Sequence, residues 1–256
     1  MSYNEAMSRP STISKLAEFA PDQWGLVTRR QAEGAGVSRA TMTRLAADGS
    51  VLERVGHGVY HLTGAPAPDQ LALRVAWLQL APEVPAWQRT PAQGAVSHRS
   101  AAALYGIGHL PADRHEFTVA ARQRSRRPDV RLHVGKLRDG EWITLRGLPV
   151  TRPARIASDL LADREEPDAV AQVIADAIRN VYDYPGTFAD ALAPHAARFG
   201  YRRGDGFALL GFFLDLVGDP DSDRWLEEAR AHLARRGNDG QPVPVPPSPS
   251  TATRQP

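Results

Sequence analysis

The sequence predicts an α+β chain: an N-terminal winged helix-turn-helix followed by a mixed α/β domain that ends mostly helical. Two observations carry this. In Gly25–Leu62 two short helical patterns meet at a glycine, and an alternating hairpin follows directly. Beyond residue 95, short strand patterns give way to helical periodicity that continues to Arg235.

Ser11 to Ala20 reads as an amphipathic first helix with Ile13, Leu16, Ala17 and Ala20 turned inward. Thr28 is placed to cap a helix from Arg29 to about Ala35, and Gly36 supplies a turn that needs positive φ. Ser38 caps the next helix, which runs to about Asp48 and stops at Gly49. Met42, Leu45 and Ala46 form its buried stripe; Arg39, Thr41, Thr43 and Arg44 lie opposite, with chemistry suited to base edges. Val51–Val55 and Val59–Leu62 are strands around the tight Gly56-His57-Gly58 loop, a wing carrying Arg54 and His57 with His61 nearby. The expected DNA-contacting set is therefore Thr28, Arg29, Ser38, Arg39, Thr41, Thr43, Arg44, Arg54 and His57.

The expected domains are residues 11–63 (the winged head), 64–68 (a Gly/Pro linker) and 69–236 (the second domain). Residues 1–10 and the Pro/Ser-rich 237–256 are expected to be disordered. In the second domain, Leu71–Leu80 is an apolar helix, 82–93 a Pro-rich loop, and Ala95–Gly106 a helix capped at Ser97. Glu116–Ala120, Val130–Val134 and Trp142–Leu145 are strand candidates. Helices are expected over 153–162, 169–180, 186–199, 204–217 and 225–235.

The 256 residues carry a formal charge of only +2, but unevenly: residues 89–155 hold 13 basic and 5 acidic side chains. This puts a possible second phosphate-facing surface at Arg122, Arg124, Arg126, Arg127 and Arg131. With no cysteine there is neither a disulfide nor a thiolate metal site, and no apolar run is long enough to span a bilayer. A cytoplasmic protein is expected.

Enzyme signatures are missing: no phosphate-binding GK[ST] loop, no HExxH, no dinucleotide glycine fingerprint. A metal-nuclease core of the (D/E)-x-K type is excluded, because Lys15 follows Ile13 and Lys136 follows Val134 at that offset. Ser97 and His98, with Asp113, His115 and Glu116 close in sequence, are read as a cap and a loop instead of a hydrolytic group. A non-enzymatic chain without metal or cofactor is expected.

With these residues in view, the chain resembles the AbiEi antitoxins of type IV toxin–antitoxin systems, actinobacterial members above all. Glu53-Arg54-Val55-Gly56-His57-Gly58-Val59-Tyr60, Ser97-His98-Arg99-Ser100-Ala101-Ala102 and Gly147 to Arg155 carry the resemblance. It implies a winged domain that binds double-stranded DNA at its own operator and represses it. It also implies a C-terminal domain that counteracts a cognate nucleotidyltransferase-type toxin. The other reading is a stand-alone regulator whose C-terminal domain senses a ligand or protein.

Overall fold

The computed structural model describes residues 11–125 and 127–238, and the side chains of all but the last three of these. The segments 1–10 and 239–256, expected to be disordered, and Arg126 of the expected basic surface lie outside the described residues. The chain is mixed α/β, with two sheets, and divides into compact units at Gln93/Gly94.

The first unit runs α1 (Thr12–Ala17), β1 (Leu26–Thr28), α2 (Arg29–Gly34), α3 (Arg39–Asp48), β2 (Leu52–Gly56), β3 (Val59–Leu62) and α4 (Leu71–Leu80). Its sheet is antiparallel in the order β1-β3-β2, with Leu26 opposite His61 and Glu53 opposite His61 on the other side. Leu16, Val27, Ala32, Val37, Met42, Leu52, Tyr60 and Leu62 form one core that ties all three strands to α1, α2 and α3. The caps are those the sequence encodes. Thr28 and Gln31 form a reciprocal capping box on α2, Ser38 Oγ accepts from Thr41 N, and Gly49 closes α3 in the left-handed region at φ 70°.

Several expectations change here. Helix α1 ends at Ala17, before the expected Ala20, and of its four expected inward residues Ile13 and Ala17 are exposed. Six residues are too few to build a stripe, so Leu16 alone is buried. The strand β1 was not expected; three residues offer too little alternation to be read from sequence.

The expected linker at 64–68 is not where the compact units part, because α4 and the segment after it stay with the head. Gln79 Nε2 donates to the His57 carbonyl at 2.9 Å, and a Cβ on Gly56 would meet Val75 Cγ1 at 2.6 Å. Residues 82–93, expected as plain loop, contain two 3-10 turns and form a strap. The Arg89 guanidinium anchors it, donating to the carbonyls of Trp77 at 2.6 Å, Leu78 at 2.7 Å, Val84 at 3.1 Å and Ala81. It also lies 4.3 Å from the Trp77 ring centroid. Burial lowers its pKa to about 10, against the pull of Glu83, which still leaves the charge in place at neutral pH.

The second unit has a five-stranded sheet ordered β6-β5-β4-β8-β7, built from β4 (Ala95–Val96), β5 (His115–Val119), β6 (Val130–Val134), β7 (Trp142–Leu145) and β8 (Leu148–Thr151). β5 pairs in parallel with β6 and β4 in parallel with β8, while β4/β5 and β7/β8 are antiparallel. Helix α5 (His98–Tyr105) joins β4 to β5. The chain then continues through α6 (Pro153–Ala162), α7 (Pro167–Arg179), α8 (Pro185–Leu192), α9 (Gly206–Val217) and α10 (Ser222–Asn238). Proline opens α6, α7 and α8, where a missing N–H costs nothing.

The helix expected from Ala95 starts at His98, since Ala95 and Val96 are strand. Leu148–Thr151, expected as a lead-in to α6, is a fully buried strand despite Pro149. The expected 186–199 helix changes to 3-10 after Leu192, where Pro194 cannot donate to an α-helical ladder. Helix α10 runs to Asn238, into the stretch expected to be disordered.

Helices α8 and α9 cross at Gly206, where an added Cβ would sit 1.9 Å from the Ala189 carbonyl oxygen and 2.6 Å from Ala193 N. Backbone cannot yield there. In the same helix a Cβ on Gly211 would meet only Leu226 methyls, at 3.8 and 3.9 Å. Gly206→Ala is therefore expected to cost about 1–3 kcal/mol or more through overpacking, whereas Gly211→Ala should gain up to about 1 kcal/mol from helix propensity. Denaturant midpoints of the two variants moving in opposite directions would establish this crossing.

Candidate nucleic-acid interface

The exposed arc of α3 is Arg39, Ala40, Thr43, Arg44 and Ala47, with Asp48 at its C-terminal end, opposite the buried Met42 and the half-buried Leu45 and Ala46. Among the described residues no carboxylate pairs with Arg39, Arg44 or Arg54. The arginines of the first unit that pair with carboxylates are Arg29, Arg30 and Arg74. The small Ala40 and Ala47 let the helix backbone approach a surface closely while the arginines project beyond it. Thr43 keeps its place by donating to the Arg39 carbonyl at 3.0 Å.

The hairpin adds exposed Arg54 and His57. Arg54 Nε donates to Gly56 O at 3.3 Å, and the bond from Gln79 fixes the loop backbone from behind. The turn between α2 and α3 holds Gly36 at φ 80°, and the Lys15 ammonium lies close by, 3.4 Å from where a Cβ on Gly36 would stand. Lys15 was not among the expected contacts, and only the folded position of α1 brings it there.

Of the remaining expected contacts, Thr28, Arg29 and Thr41 are wholly or partly buried and only Ser38 is exposed. Thr28 is wholly buried; its hydroxyl caps α2 and donates to the Pro82 carbonyl of the strap. Arg29 is half-buried and paired with Glu33 at 3.2 Å. Ser38 and Thr41 share a hydroxyl–hydroxyl bond of 2.9 Å at the start of α3, leaving Ser38 exposed and Thr41 half-buried. The surface set thus reduces to Ser38, Arg39, Thr43, Arg44, Arg54 and His57.

Two of the four described arginines of the expected second basic surface are paired within the protein. Arg127 pairs with Asp129, and Arg131 with Asp163 at 3.1 Å and Glu116 at 3.5 Å. Arg122 and Arg124 are exposed.

The residues set aside as a cap and a loop separate in space. His115 faces Asp129 at 4.0 Å, and Asp113 is exposed. Ser97, His98 and Glu116 converge instead with His133 and Asp163. His98 begins α5 in the left-handed region at φ 51°, and its Nδ1 bonds Ser97 Oγ at 2.9 Å. Its ring stacks on His133, centroids 3.5 Å apart and planes 14° from parallel. The parallel register of β5 and β6 sets Glu116 beside Arg131 and Thr118 beside His133, so Glu116 and His133 share one face of the sheet. Burial, with His133 alongside, pushes His98 down to about 3, so it is neutral at neutral pH. Burial would raise Glu116, but His133, the Arg99 amide and His98 outweigh it and hold the carboxyl below its ordinary value.

Residues 14–63 match a family of transcriptional regulators, described as AbiEi antitoxin. That segment takes in most of α1 and everything from β1 to β3, including the arc of α3 and the hairpin. The resemblance carried by Glu53 to Tyr60 is thereby shown for the head of the chain. No curated protein matches it. Among solved structures, the crystal structure of RV2827C protein from Mycobacterium tuberculosis is similar at 16% sequence identity and a TM-score of 0.49, over 89% of this chain and 82% of that one. No helix among the described residues is long and apolar enough to cross a membrane.

Thr28→Val removes one buried hydroxyl that both caps α2 and binds the strap. It is expected to lower stability by about 1–2 kcal/mol. Because Thr28 has no exposed surface, the folded variant should bind any DNA the parent binds with unchanged affinity, as measured by fluorescence anisotropy well below the melting temperature.

Proposed function

We propose that the first unit is a winged helix-turn-helix that binds double-stranded DNA at the operator of its own operon, and that the chain is an autorepressing antitoxin. The observation that carries this reading is the exposed arc of α3. It has two arginines with no carboxylate partner among the described residues, on a helix whose other face is core. Elsewhere in the chain, many arginines are engaged with acidic neighbours.

Helix α3 enters the major groove, where Arg39 and Arg44 meet guanine edges and Ala40, Thr43 and Ala47 meet thymine methyls. Ser38 and the amides at the start of α3 sit against a phosphate, as the N-terminus of a helix favours. Arg54 and His57 on the hairpin follow the adjacent backbone, and Lys15 adds a cation near the turn. The family match over residues 14–63 supports a regulator or antitoxin role. On the resemblance, the second unit opposes a cognate nucleotidyltransferase-type toxin, and the protein is cytoplasmic and not an enzyme.

Arg39→Ala and Arg44→Ala should each cost about 1–3 kcal/mol in operator binding and relax base preference at one position. Band shifts on the upstream DNA of its own gene measure this, and equal shifts for parent and variants would remove α3 from the interface. Co-expression tests the second unit separately. The Arg39→Ala/Arg44→Ala double variant should still relieve growth arrest caused by a neighbouring nucleotidyltransferase gene while no longer repressing the promoter. If the parent chain gives no relief, the antitoxin assignment fails while DNA binding stands.

A further inference from the structure

We propose that His98, His133 and Asp163 form a site for a divalent first-row metal ion of the zinc type, held through His98 Nε2, His133 Nδ1 and one carboxylate oxygen of Asp163. This replaces the expectation of a chain without metal.

The donor atoms lie together. His98 Nε2 and His133 Nδ1 are each 3.9 Å from the same oxygen, Oδ2 of Asp163, and all three lie within 4.8 Å of one another. At 3.9 Å these are too far apart for a hydrogen bond. Two ligand bonds of about 2.0–2.1 Å through a shared ion span such a gap, and tetrahedral coordination draws the donors in to about 3.4 Å. Loading therefore closes the cluster by roughly half an ångström.

The nitrogens not offered to the ion face acceptors of their own. His98 Nδ1 is bonded to Ser97 Oγ at 2.9 Å. In the tautomer that donates its Nδ1 proton to that hydroxyl, Nε2 presents a lone pair toward the Asp163 carboxylate, as a metal ligand requires. His133 Nε2 is buried without a hydrogen-bond partner, 3.7 Å from Glu116 Oε1. A carboxylate behind an imidazole is the usual outer partner of a metal-bound histidine. Glu116 is itself fixed, accepting from Arg99 N at 3.0 Å. The left-handed backbone of His98 is a conformation that a non-glycine residue adopts only where its surroundings enforce it.

Two features must change on loading. The stacked rings carry their in-plane lone pairs side by side, so one ring has to turn. His133 is the one free to do so, since no hydrogen bond holds it while Ser97 anchors His98. The Arg131 guanidinium, 3.1 Å from Asp163 Oδ2 and about half exposed, has to swing outward. It borders a cleft of about 230 Å³ that also reaches Arg99, Arg114 and Glu116, so there is open space for it to move into. Two imidazoles and one carboxylate suit Zn²⁺ or Co²⁺ better than Mg²⁺ or Ca²⁺, which prefer oxygen alone.

The experiment titrates the full chain, without a histidine tag, with ZnCl2 by calorimetry and with CoCl2 by visible absorption. One equivalent should bind, and Co²⁺ should give the intense bands of low coordination. His133→Gln and Asp163→Asn should each weaken binding at least tenfold. Arg131→Met should tighten it severalfold by removing the competing cation, and His57→Ala should leave it unchanged. Asp163→Asn and Arg131→Met replace partly exposed groups, so they report even if His133→Gln fails to fold. Absence of a saturable single equivalent would overturn the site. So would an Asp163→Asn variant that binds as the parent does, or an Arg131→Met variant that binds more weakly.

Discussion

The attitude of α3 rests on a buried pair of carboxamides. Gln23 Nε2 donates to Leu26 O and to Gln31 Oε1, both at 2.8 Å, while Gln31 Nε2 returns a bond to Gln23 Oε1 at 3.0 Å and donates to Val84 O at 3.1 Å. Thr28 N donates to Gln31 Oε1 and Ala86 N to Gln23 Oε1, both at 2.9 Å. Each amide side chain thus uses both donors and accepts twice. A buried polar group left short of partners costs about 1–3 kcal/mol, so a network this complete has one low-energy arrangement. It joins the start of β1, the first turn of α2 and the strap, and α3 follows from α2 through the short turn at Gly36.

The strap has a role that its proline-rich composition conceals. Thr28, Gln23 and Gln31 all reach residues between Pro82 and Ala86, and Arg89 closes the C-terminal end of α4 by binding its last carbonyls. A helix end needs such partners when it is buried. Arg74, buried beside Asp69 at 2.5 Å and 4.2 Å from the Trp24 ring centroid, secures the other end. The head is therefore built by residues to 93, although the family match ends at residue 63.

What the sequence made legible was local. Caps, turn glycines and the stripe of α3 depend on residues within four or five positions of each other, and Thr28, Ser38, Gly36 and Gly49 were read correctly as such. What it hid was pairing at a distance. β1, β4 and β8 exist because a neighbour completes their ladders; Pro149 sits in β8 opposite Thr144 of β7. Of the expected contacts, Ser38, Arg39, Thr43, Arg44, Arg54 and His57 are at the surface. Thr28 was misplaced because a capping hydroxyl and a phosphate-binding hydroxyl look alike in sequence.

The same distinction explains the two arginine-rich regions. Arg131 reads as part of a basic run because sequence shows its cationic neighbours and not Asp163, which arrives from the end of α6, whereas the partner of Arg127, Asp129, is only two residues away. On α3, Arg39 and Arg44 have no carboxylate partner among the described residues. Formal charge counted along a chain measures what could attract phosphate. Only the folded distribution of carboxylates decides which of those charges remain available, and the two units, each with a formal charge of +1, differ in how theirs are paired.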